Sequence, residues 1–184
     1  MLLSSVFEKF QRQKPWCVMA RGALERMLSA ARLDALFEGT AVVQYEREVL
    51  FSQLVGLIGR VVTRVGRSVL KSYESLKDEL NVSDQAVYDK LQGIETRVSQ
   101  ALVRDSFRES RAVLEQLKVL DKSWVRGRRT KILDGNHIQA TQHRLEELRT
   151  IWDAPLPGTA LVVWDQMTQL VSDVFLTECG HAQE

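Results

Sequence analysis

The feature that most limits what this chain can fold into is a change of hydrophobic period near residue 130. Before it, apolar residues recur at three- and four-residue steps, the spacing that gives a helix one buried face. Leu50, Leu54, Leu57, Ile58, Val61, Val65, Val69 and Leu76 form the strongest such series, and Ile94, Val98, Leu102, Val113, Leu117 and Leu120 a second. After it, apolar residues come in short unbroken runs: Ile132-Leu133, Ala160 to Trp164, and Leu170 to Leu176. Runs of that length read as strands. The pattern predicts a mainly α N-terminal region followed by strands, the last two joined by a Gln166–Gln169 hairpin connection.

Local punctuation refines the helical part. Residues 1–40 read as two short helices divided by Pro15, which cannot continue a helix that precedes it, with Gly39 as the stop. Residues 42–80 read as one long helix. Gly56, Gly59 and Gly66 mark close packing along it, and Arg60, Arg64, Arg67 and Lys71 fall on one stripe. Residues 82–93 carry a natural N-cap in Ser83, an acid in the first turn at Asp84, and a stop at Gly93. After the Asn81 turn, this helix has the position of the second helix of a helix-turn-helix. Asp84 and Asp89 outweigh its single Lys90, however, so packing inside a bundle is the favoured reading. Along 94–120, Arg97, Arg104, Arg108, Arg111 and Lys118 mix with Asp105, Glu109 and Glu115, as on a salt-bridged solvent face.

The charge is near balance in total, +1, but uneven along the chain. Residues 1–131 hold 23 Lys and Arg against 16 Asp and Glu, while residues 132–184 hold 2 against 8. A basic part followed by an acidic part suggests a surface for nucleic acid joined to a region that carries carboxylates. The densest cations are Lys122, Arg126, Arg128, Arg129 and Lys131, with no acid among them and with Trp124 and Gly127 interleaved. Clustered cations release DNA counterions, and tryptophan stacks on bases. These five residues, with Arg60, Arg64 and Arg67, are the expected DNA contacts. The plainer reading of 122–131 is a charged linker.

Other classes are excluded by what is missing. Cys17 and Cys179 sit in no paired motif, which argues against a disulfide scaffold or a zinc site and fits a reducing cytoplasm. No stretch of about 18 apolar residues is present to span a membrane, and the N-terminus lacks the pattern of a secretory signal. Within TKILDGNH (130–137), a short apolar run delivers Asp134 onto a Gly-Asn turn. A carboxylate at a strand end beside a phosphate-binding surface is a place for a divalent metal, although one aspartate does not make a metal site. His137 and His143 are read as hydrogen-bonding residues, because Mg²⁺ prefers oxygen.

Several segments together carry a family resemblance. ILDGNH (132–137), HRLEELR (143–149), APLPG (154–158) and ALVVWD (160–165) resemble bacterial DDE transposases of the insertion-sequence-four family. Upstream, QYEREVLFSQLV (44–55) and VSDQAVYDKLQG (82–93) look like the helical N-terminal region of the same proteins. The resemblance covers nearly the whole chain; its segments are specific in combination and weak singly.

The resemblance implies a helical, DNA-binding region over 1–121, a basic linker over 122–131, and the first strands of an α/β ribonuclease H-like domain, incomplete, over 132–184. It implies cut-and-paste DNA transposition at element ends on double-stranded DNA, in the bacterial cytoplasm at the nucleoid and without a membrane partner. Asp134 takes the place of the first catalytic aspartate and Mg²⁺ ligand. The family's second aspartate, on the fourth strand, and its glutamate, on a later helix, would lie after Glu184. Two Mg²⁺ ions about 3.5–4 Å apart serve such chemistry, and one carboxylate does not position both. Asp165 and Asp173 are not expected to substitute, since the implied fold draws its second aspartate from the other side of the first strand. The chain by itself is therefore expected to bind DNA without cutting it. The alternative is an inactive regulator or inhibitor of a full-length transposase, acting on DNA ends or through mixed oligomers, with homo-oligomers or the full-length enzyme as partners.

Overall fold

A computed structural model describes residues 12–44, 48–137 and 159–177. Among them lie seven helices: α1 (Pro15–Met27), α2 (Ala30–Thr40), α3 (Phe51–Val62), α4 (Val69–Glu74), α5 (Lys77–Leu80), α6 (Asp84–Gln92) and α7 (Thr96–Leu117). Three strands follow: β1 (Lys131–His137), β2 (Thr159–Asp165) and β3 (Leu170–Thr177). The mainly α character with a small sheet at the end matches the change of period in the sequence. The chain divides into two compact units, Met1–Glu95 and Thr96–Glu184.

The first unit is built from helices. Val49, Leu54, Leu57, Tyr73 and Val87 form its core, with Val69, Leu76, Leu80 and Ile94 packed against them. Tyr73 donates its hydroxyl to the Val82 carbonyl at 2.7 Å, which satisfies the polar end of a buried ring. Leu33 and Phe37 of α2 are also buried, and Phe37 stacks on Phe51 with 5.3 Å between ring centres. Asp34 receives the Ser52 amide and hydroxyl, each at 2.8 Å, at the first turn of α3. That bond satisfies one of the orphan donors of a helix start.

The helix starts and stops only partly follow the sequence. Ser83 caps α6, accepting the Ala86 amide at 3.1 Å, and Gly93 ends it, as expected. Pro15 occupies the first turn of α1, where its missing N–H costs nothing. Two expectations fail. Gly39 lies inside α2, which runs on to Thr40 before Ala41 turns extended. The single helix expected over 42–80 is broken into α3, α4 and α5. The break is local chemistry: Arg64 takes a left-handed backbone (φ 60°), the Gly66 amide reaches back to the Arg60 carbonyl at 2.9 Å, and Ser68 caps the next helix by accepting the Lys71 amide. At Gly66 a β-carbon would stand 2.0 Å from the buried Ser72 hydroxyl, so the turn admits no side chain there without rearrangement.

In the second unit, α7 packs on an antiparallel meander of strand order β1-β2-β3. The β1–β2 register is regular, with Lys131 opposite Asp165 and Asp134 opposite Val162. The β2–β3 hairpin turns over 166–169, as its sequence predicts. Its ladder shifts by one residue, pairing Val163 with Asp173 but Trp164 with Val171, so Ser172 is a bulge. Ser172 is buried and donates its hydroxyl to the Val163 carbonyl at 3.1 Å. Helix α7 is anchored to β3 by Arg104, which donates to both oxygens of Asp173 at 2.9 and 2.8 Å, and by Gln100. The sequence places a boundary after residue 121; the division instead falls at Glu95, because α7 is held by the sheet.

Candidate nucleic-acid interface

Between α7 and β1 the chain runs irregularly through the densest cations, and a four-residue turn holds it in shape. Gln166, at the head of the β2–β3 turn, is 1% exposed. Its side-chain amide donates to the Lys122 carbonyl at 2.9 Å, and its side-chain carbonyl accepts the Trp124 amide at 3.1 Å. Its backbone N–H reaches the Thr130 carbonyl at 3.2 Å, and the Asp121 amide reaches the Met167 carbonyl at 2.8 Å. Gln169 adds a bond to the Asp121 carboxylate at 2.8 Å. Within the loop, the Arg128 amide closes a turn onto the Val125 carbonyl, and Gly127 has φ 72°. Only glycine enters that left-handed region without steric cost. Ser123 donates to the carbonyls of Val125 and Arg128.

Asp165 holds the far end of the loop. It is wholly buried. One oxygen accepts the Thr168 amide and hydroxyl at 3.0 and 2.8 Å, and the other accepts Nε of Arg129 at 2.5 Å. The Arg129 guanidinium also lies 5.5 Å from the Phe107 ring centre of α7, within cation–π range. Burial pushes the Asp165 carboxyl up, but the bonds from Arg129 and Thr168 together hold it below the usual carboxylate range. Asp173 follows the same pattern: burial raises it, and Arg104, the Val174 amide and Gln100 outweigh that and lower it.

The predicted cations therefore separate. Arg129 is tied into the hairpin, so in this structure it supports the fold rather than offering a free charge to phosphate. Lys122, Arg126, Arg128 and Lys131 are exposed, with no ion pair among the described residues. Trp124 stands beside them, 65% exposed, with its ring 6.2 Å from that of Trp164. Arg60, Arg64 and Arg67 belong to the first unit and do not share a helical stripe, because the α3–α4 turn separates them. Arg60 is half-buried and donates to the Ser75 hydroxyl at 3.3 Å, while Arg64 and Arg67 are exposed on the turn. Helix α6 offers no cation to DNA: Lys90 is buried, its ammonium 3.8 Å above the Phe37 ring.

Asp134 is exposed in the middle of β1 rather than at a strand end, because Gly135 and Asn136 pair with Leu161 and Ala160 and continue the strand where a turn was expected. Cross-strand partners share a face and alternate along each strand. Asp134 thus lies with Val162 and Val174, while Leu133, Val163 and Asp173 lie on the face against which α7 packs, as does Asp165. Asp165 and Asp173 lie on the other face from Asp134 and each accepts from an arginine. Among the described residues no group of three His, Cys, Asp or Glu side chains is placed to hold a metal ion. Mg²⁺ takes several oxygens in octahedral array, and Asp134 has no carboxylate partner on its face among those residues, so they do not by themselves fit the ion. HRLEELR, APLPG and the side chain of His137 lie outside the described residues.

Sequence reasoning missed Gln166, placing it in a connection without a role. A usable signal was present: Asp165-x-x-Thr168 is the spacing at which a short carboxylate accepts a backbone amide three residues on and closes a turn. No helix among the described residues is long and apolar enough to cross a membrane. No family model, curated protein or solved structure matches the chain.

Proposed function

We propose that this chain is a DNA-binding protein of the DDE-transposase kind, which engages double-stranded element ends through the 122–131 segment. The observation that carries the reading is the exposed set Lys122, Arg126, Arg128 and Lys131 around Trp124, free of ion pairs among the described residues and leading directly into the strand that bears Asp134. An antiparallel three-stranded meander beginning on that strand supports the likeness to the first strands of a ribonuclease H-like domain. In this reading the protein works at the bacterial nucleoid, in the cytoplasm, alone or in mixed oligomers with a full-length transposase. Cleavage and joining through Mg²⁺ would require carboxylates other than those described. The inactive regulator or inhibitor is the second reading; the lack of a second carboxylate on the face of Asp134 among the described residues is the observation on its side.

The test is binding of the full chain to duplex DNA, followed by fluorescence anisotropy from low to moderate salt. Affinity falls steeply with salt, as counterion release demands. Undetectable binding at low salt, or binding indifferent to salt, overturns the reading.

A further inference from the structure

The cationic segment is the most irregular part of the described second unit, yet its backbone is pinned at both ends by one turn. Resting on the proposal that this segment binds nucleic acid, we infer that the β2–β3 turn, through Gln166, is a positioning device that holds residues 121–130 in their binding shape before DNA arrives. Gln166 touches no ligand in this scheme. It acts through Lys122 and Trp124, whose backbone groups it holds by its two amide atoms.

Three observations support this role over that of an ordinary buried glutamine. First, the side chain is 1% exposed and both its donor and its acceptor are used. Both partners are backbone groups of one segment, more than forty residues away in sequence. Second, the same turn binds the segment at Asp121, Thr130 and Arg129 as well, so the whole excursion is templated on 165–169. Third, what the template holds up is exposed: Trp124 is held at its amide and Arg128 at its amide and carbonyl, while the side chains of Trp124, Arg126 and Arg128 stand in solvent. Fixing a residue's backbone costs conformational entropy, and a loop ordered in advance does not incur that cost on binding.

The experiment uses the full chain and the Gln166→Met variant, which keeps length and volume but removes both hydrogen bonds. DNA affinity is expected to fall about tenfold, with the slope of log affinity against log salt unchanged, because no cation is removed. Hydrogen exchange at the Trp124 amide is expected to accelerate without DNA present, at a temperature where circular dichroism shows the variant folded. A second variant, Gln166→Glu, covers the case in which methionine does not fold. Its introduced carboxyl accepts from Trp124 always, but donates to Lys122 only when protonated. Its binding deficit relative to the wild type should therefore shrink as the pH falls from about 8 toward about 4.3, the ordinary glutamate value, and sooner where burial raises the carboxyl. Asp121, Lys122, Arg129 and Asp165, the neighbouring charges, are common to both proteins and cancel in that ratio. Unchanged affinity in a folded Gln166→Met chain, or unchanged exchange at Trp124, overturns the inference. Failure of the wild type to bind DNA instead overturns the proposed function, and the exchange measurement still decides whether Gln166 orders the loop.

Discussion

Arg129 and Asp165 form an ion pair in which the carboxylate is wholly buried and the arginine side chain is 34% exposed. The pair joins the end of the cationic segment to the head of the β2–β3 turn, so charge that would otherwise face solvent is used to close the fold. Removing one partner of a buried pair leaves the other charge without compensation.

Arg129→Met is therefore expected to destabilise the second unit by about 1–3 kcal/mol, less than for a fully buried pair because water reaches the guanidinium. Arg126→Met, at an exposed position, changes stability by less than about 0.5 kcal/mol. Urea unfolding of both variants checks this; equal midpoints would show that the pair contributes nothing.

Acid should remove stability in a defined direction. Asp165 and Asp173 both have carboxyls held below the ordinary range in the folded chain. The unfolded chain therefore takes up protons first as pH falls. The stabilisation is complete above the unfolded value of about 3.9 and is lost as pH drops through the lower folded values. Stability followed by denaturant midpoint should be flat above about pH 5 and fall below about pH 4. Asp165→Asn should flatten part of that fall, and an identical acid profile in the variant would remove Asp165 from the account.

DNA binding should sort the cations by exposure. Lys122→Ala, Arg126→Ala and Arg128→Ala each reduce the salt slope by about 0.9, the value expected when one phosphate is no longer neutralised. Asp134→Ala leaves affinity unchanged or slightly raised, since it removes a negative charge near phosphate. A salt slope equal to that of the wild type in all three cation variants would reject the segment as a phosphate surface.

In the helical unit, Gly66→Ala is expected to cost about 1–3 kcal/mol, because its β-carbon would stand 2.0 Å from the Ser72 hydroxyl. Adding Ser72→Ala should recover part of the loss, since the nearest remaining atom would then be 3.2 Å away. Strictly additive effects in this double-mutant cycle would show that the two residues do not meet.

Where local chemistry decides structure, the sequence was legible. The Ser83 cap, the Gly93 stop, the two apolar runs and their short connection all appear as expected, because each depends on residues a few positions apart. The single helix that the period predicts over 42–80 is broken for a different reason. The hydrophobic period crosses the turn in sequence only: Val69 packs against the core, but Val65 is 67% exposed in the break that Gly66 and Ser68 impose. The candidate interface was legible in composition but not in arrangement. Five cations in ten residues look alike in sequence, and only the fold shows that Arg129 meets Asp165, thirty-six positions away. The Asp165-x-x-Thr168 spacing marks the turn in the sequence but not the role of Gln166 within it, because its partners, Lys122 and Trp124, are distant in the chain.

The bulge at Ser172 has a consequence for how β3 tolerates change in length. It is the strand's one spare residue, set between Val171, opposite Trp164, and Asp173, opposite Val163. Deleting Ser172 would leave both of those pairs in place and turn the ladder regular. Asp173 would still meet Arg104 and Gln100, and the loss would be confined to the Ser172 hydroxyl bond. Deleting Val174 instead would bring Phe175 to its place and exchange the two faces of the sheet from there to the strand's end. The bulge thus acts as slack in a strand that is otherwise in strict phase. Within 170–177, a one-residue deletion should be absorbed at 172 and rejected at 174, although both remove the same length of chain.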